Sequence, residues 1–140
     1  MGNTDDRRSE RDLFTTYAEA EQFGAYRLAT RWTAIRAAEQ TVATEVDELA
    51  TMAALRTWLT RWLPMQVHRV LLLGGTVDQA AAAAGLTHEE ITAAWRDWAA
   101  GQRRLQETLP DLPDRSEQYD AVELVLAAAE AARKAGPTDA

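Results

Sequence analysis

From Ala25 to Leu63 the chain contains neither glycine nor proline. A stretch of that length, rich in Ala, Leu, Arg and Glu, favours helix over every other regular structure. Alternating runs of β-branched residues are missing elsewhere in the sequence as well, so no sheet is expected and the fold class is all-α. Within the span, Leu28, Trp32, Ile35, Val42, Val46 and Leu49 recur in alternating steps of four and three, with Glu39 at the one polar position. Such a stripe serves equally as the seam of a homodimer or as a face packed inside one domain. These six residues are therefore the candidate dimerisation set.

The flanking segments extend the helical pattern. Ser9 is placed to cap a first helix carrying Leu13, Phe14, Tyr17, Ala20 and Phe23, with Gly24 as its break. Leu55, Trp58, Leu59, Trp62 and Leu63 form a second periodic set that runs up to Pro64, where a kink or a new helix is expected. Thr44 and Asp47 offer a helix start between the two sets, so one bent helix and two separate helices both fit. Pro110 and Pro113, among acidic residues, mark a linker, and Tyr119 to Ala135 reads as a last helix closed by Gly136-Pro137. The expected organisation is an N-terminal helical scaffold over 1–63, a central unit over 64–105, a linker over 106–118 and a C-terminal helix and tail over 119–140.

The central segment is the most informative. Val67, Val70 and Leu71 belong to one helix that Gly74-Gly75 ends. Thr76 with Gln79 forms a capping box that starts a short alanine-rich helix over about Val77 to Ala84. Gly85 stops it, Leu86 supplies an apolar plug, and Thr87 with Glu90 forms a second capping box for a helix that runs through Trp95 and Trp98. The order of Ala81, Gly85, Leu86, a polar cap and then Ile91 resembles the helix-turn-helix of bacterial DNA-binding proteins. The resemblance covers Thr76 to Trp98 closely and Pro64 to Leu105 loosely. It implies a sequence-specific transcriptional regulator whose partner is double-stranded DNA, with the helix from Thr87 in the major groove. Thr87, His88, Glu89, Thr92, Ala93 and Arg96 would then face outward, Thr76 and Gln79 would touch the backbone, and Arg103 and Arg104 would add phosphate contacts. A homodimer would present two such helices about one DNA turn apart.

Charge qualifies this reading. The net charge is -7, which does not favour a strong nonspecific hold on phosphates. The acidity is concentrated after residue 110, however, and the central segment is close to neutral. Glu89 and Glu90 stand in the first turn of the supposed reading helix, where the macrodipole favours them and DNA phosphates do not. A helical adaptor binding a protein partner through the same face, or through the acidic tail, is therefore the alternative expectation.

Other chemistry finds little support. The sequence has no cysteine and two histidines, and neither His68 nor His88 has a second ligand at metal spacing. His68 is expected as a packed or surface residue. Gly74-Gly75 follows a helix and lacks the Gly-Lys-Ser/Thr continuation of a phosphate loop. No cofactor is called for and no enzyme is expected. The paired tryptophans, Trp58 with Trp62 and Trp95 with Trp98, have the spacing of helix packing. No run reaches the roughly 20 apolar residues of a membrane span, so no membrane association is expected and the location implied is cytoplasmic.

Overall fold

The computed structural model describes residues 12–136, and every regular element among them is an α-helix. In chain order these are α1 (Tyr17–Ala20), α2 (Ala25–Arg36), α3 (Val42–Leu72), α4 (Val77–Ala84), α5 (His88–Thr108) and α6 (Ser116–Ala135). No helix among the described residues is long and apolar enough to cross a membrane. The chain divides into two compact units, and the division falls within α3, between Arg61 and Trp62.

The first unit departs from the expected pattern at its start. Ser9 lies outside the described residues, and Leu13 and Phe14 are not helical. Helix α1 begins only at Tyr17, capped by Thr16, whose hydroxyl accepts from the Glu19 N–H. The reason lies in Asp47, a fully buried carboxylate. It accepts from the Phe14 N–H at 3.1 Å and from the Arg31 guanidinium at 3.2 Å. That bond holds the chain at Phe14 extended enough to reach α3. Arg31 in turn lies over the Phe14 ring at 3.8 Å and donates to the Asp12 carbonyl. A buried charge of this kind is tolerated only when paired and hydrogen-bonded. Phe14, Ala20, Leu28, Ala50, Ala54 and Leu55 form the surrounding core, with Trp32 and Trp58 packed against it. Both indoles are anchored: Trp58 Nε1 donates to the Phe23 carbonyl and Trp32 Nε1 to Glu48.

The heptad-like stripe is not one helix. Residues 37–41 leave helical geometry, because Thr41 and Thr44 bond each other's N–H groups reciprocally, at 2.8 and 3.1 Å, and so cap a fresh helix at Val42. Leu28 is buried in its own unit's core and Trp32 and Ile35 are half-buried, whereas Val42, Val46 and Leu49 are exposed. The six residues drawn as one dimer seam therefore do not share a face. Pro64 likewise starts no new helix. It sits inside α3, which continues for two further turns to Leu72, although the proline leaves the Thr60 carbonyl without its usual helical donor.

The second unit is built on Val67 and Leu71 of α3, Val77, Ala80 and Ala81 of α4, Ile91, Trp95 and Ala99 of α5, and Tyr119, Val122 and Leu126 of α6. Its last helix thus shares the core of the central segment. Helix α6 starts three residues before the expected Tyr119, where Asp114 accepts from the Ser116 N–H at 3.0 Å. Helix α5 runs on to Thr108, which shortens the connecting segment to residues 109–115. His68 is buried, and its Nδ1 accepts from Trp95 Nε1 at 3.0 Å.

Candidate nucleic-acid interface

Both capping boxes form as the sequence spacing demands. The Thr76 hydroxyl accepts from the Gln79 N–H at 3.0 Å while Gln79 Oε1 accepts from the Thr76 N–H at 2.9 Å. Thr87 and Glu90 repeat the arrangement at 3.1 and 2.9 Å. Between the two helices Gly85 takes φ +68°, a left-handed conformation that L side chains resist. Leu86 folds back against the core, and its N–H bonds the Ala81 carbonyl at 3.1 Å. Ala81 and Ile91 are both buried, so α4 and α5 approach closely through small and branched side chains.

The expected contact residues divide into three groups. Thr76, Gln79, Thr87, Glu89, Ala93 and Arg104 are exposed. Thr92 is not: it is only 5% exposed. It lies three residues before Trp95 and seven before Ala99, and that spacing places all three on the face turned to the core. The expectation that Thr92 faces outward is corrected accordingly. His88 is half-buried, with Nε2 against Asp78 of α4 and a buried Nδ1 that has no partner among the described residues. Its ring belongs to the packing between the two helices more than to the outer surface.

The third group is the cations. Arg96 Nε donates to both carboxylate oxygens of Glu123 at 3.1 Å, and Arg96 Nη2 donates to Glu130 Oε1 at 2.7 Å. Hydrogen bonding to Glu130 first and to Glu123 second raises the Arg96 pKa further, and the bond from Arg96 holds the Glu130 carboxyl below its ordinary value. Arg103 Nη2 donates to Asp120 at 2.9 Å, with its guanidinium over the Tyr119 ring. All three acidic partners belong to α6. Of the arginines expected to meet phosphate, Arg104 alone makes no ion pair among the described residues.

One outward residue is missing from the expected set. Asp97 follows Ala93 by four positions on α5 and is exposed; the i, i+4 step from Ala93 is the signal that marks it. With Glu89, Glu90 and Asp97 on the exposed part of α5 against the unpaired Arg104, the surface carries more negative than positive charge. Comparison with protein-family models, with characterised proteins and with solved structures finds no match to this chain.

Proposed function

We propose that the chain is a sequence-specific DNA-binding regulator, with α4 and α5 forming a helix-turn-helix and the N-terminal half of α5 entering the major groove. The supporting observation is the junction itself. Two helices, each started by a reciprocal capping box, meet at a left-handed glycine over a shared core, and the beginning of the second helix is left in solvent. On this reading Thr87, Glu89 and Ala93 meet base edges, Glu89 as an acceptor for a cytosine amino group and Ala93 as an apolar neighbour for a thymine methyl. The N-terminal N–H groups of α4, Thr76 and Gln79 lie against phosphate, and Arg104 supplies the direct cationic contact.

A second reading is favoured by a specific observation. Arg96 and Arg103 are already engaged by carboxylates of α6, which leaves an acidic outer face on α5. Such a face suits a basic protein surface better than a phosphate backbone. The two readings separate by selection of bound fragments from sheared genomic DNA at near-physiological salt, using the native chain beside a variant combining Ala93→Asp with Arg104→Ala. Both positions are exposed, so the variant should still fold, with its melting temperature lowered only by the about 0.5–1 kcal/mol that an aspartate inside α5 costs. Enrichment of one motif by the native chain and its loss in the variant supports DNA reading through this surface. Absence of enrichment by the native chain overturns it in favour of the adaptor.

A further inference from the structure

We propose that the exposed face of α3 between Val42 and Leu59 pairs with the same face of a second copy of this chain, the two helices running antiparallel. The inference is independent of the DNA reading.

Helix α3 is apolar on two faces over this stretch. One carries Ala50, Thr51, Ala54 and Leu55, together with Asp47, and is consumed by the first unit's own core. The other carries Val42, Leu49, Met52 and Leu59, which stand 83%, 68%, 45% and 59% exposed. Large apolar side chains left in water along one line of a helix point to a partner surface. Their spacing is a strict heptad: Val42, Leu49 and Arg56 recur every seven residues, and Glu45, Met52 and Leu59 recur every seven residues three positions later. This is the a and d pattern of two supercoiled helices. It differs from the stripe drawn through α2, since it lies wholly on one continuous helix and takes in Met52, Arg56 and Leu59.

The two charged positions decide the occupant and its direction. Glu45 and Arg56 interrupt the apolar line, and neither has an ion-pair partner among the described residues. In a parallel pair Glu45 would face Glu45 and Arg56 would face Arg56. In an antiparallel pair the a positions of one helix oppose the d positions of the other. Val42 then meets Leu59 of the second copy, Leu49 meets Met52, and Glu45 meets Arg56. The two-fold axis generates each contact twice, so every apolar side chain of the line meets another and every charge meets its opposite. A heterologous partner would need no such self-complementarity.

The test is sedimentation of the full chain from micromolar to submillimolar concentration. The native mass is expected to rise from that of a 15.5 kDa chain towards twice that value. Glu45→Arg alone and Arg56→Glu alone each set like charges against one another and should stay monomeric. The double variant Glu45→Arg/Arg56→Glu should dimerise again, and an equimolar mixture of the two single variants should form a heterodimer. All the substituted side chains lie in solvent, and a cooperative thermal transition at micromolar concentration, where the native chain is itself monomeric, confirms that each variant folds. A native chain that stays monomeric throughout, single variants that still dimerise, or a double variant or mixture that fails to pair would each overturn the proposal.

Discussion

His68 is held as an acceptor. Its Nδ1 receives the Trp95 indole N–H, and its ring lies among Trp95, Trp98 and Tyr119, with centroids 6.0, 5.1 and 5.4 Å away. Protonation at that nitrogen would turn an acceptor into a donor facing a donor. Burial first, and the positive charge of Arg115 second, hold the imidazole below its ordinary value near 6.5. The folded chain therefore prefers the neutral ring, while the unfolded chain takes up its proton at the ordinary value. In the interval between the two values the unfolded state binds more protons, so stability is full above 6.5 and declines as the pH falls towards the folded-state value. The decline cannot exceed about 1.4 kcal/mol per pH unit, the limit for one proton. Urea unfolding on both sides of that boundary should show it, and His68→Asn, which keeps an acceptor oxygen without a titrating group, should remove it. An equal pH slope in the two proteins would assign the dependence elsewhere.

Helix ends carry the next level of constraint, and two glycines show that constraint in different forms. A Cβ at Gly75 would lie 2.6 Å from Val70 Cγ1 and 2.8 Å from the Val70 carbonyl oxygen, the oxygen to which the Gly75 N–H is bonded. A Cβ at Gly85 meets nothing within 4 Å, so only its left-handed φ resists substitution. We expect Gly85→Ala to cost about 1–2 kcal/mol. Gly75→Ala should cost more, about 2–3 kcal/mol, because backbone must shift as well. Urea unfolding that places the two in the opposite order would show that the turn after α3 yields easily. These ends are legible in the sequence because a capping box is a contact between residues three apart, and the glycines stand beside it. The break at 37–41 is less legible, since no glycine or proline marks it and its signal is only the Thr41–Thr44 pair. The buried Asp47 and the engaged arginines are not legible at all. Phe14 lies 33 residues before its acceptor, and Arg96 lies 27 and 34 residues before its carboxylates. Sequence periodicity assigns a face to a side chain; it does not say which distant charge will sit there. Thr92 is the converse case, with a core-facing spacing obscured by its hydroxyl.

Charge across the chain sets what the proposed surface can do. A net charge of -7 repels nucleic acid at long range, so binding to duplex has to come from local contacts, and Arg96 is the strongest cation withheld from them. Glu123 and Glu130 present to it the same pattern of oxygen acceptors that a phosphate would. Exchanging both for glutamine removes two negative charges and loosens the guanidinium while leaving the apolar core of α6, Val122 and Leu126, untouched. If α5 lies on DNA, the Glu123→Gln/Glu130→Gln variant should bind duplex more tightly than the native chain. The slope of log affinity against log salt should steepen by about 0.9, the increment for one additional phosphate neutralised by the freed guanidinium. Titration of a fluorescent duplex at several salt concentrations reads both quantities, with thermal melting as the check that the variant is folded. If α5 instead meets a basic protein surface, the same variant holds duplex no more tightly and loses affinity for its partner, because the guanidinium freed from Glu123 and Glu130 adds positive charge beside the acidic face of α5. A tighter complex with an unchanged salt slope would mean that the lost repulsion acts alone, and that Arg96 does not reach phosphate.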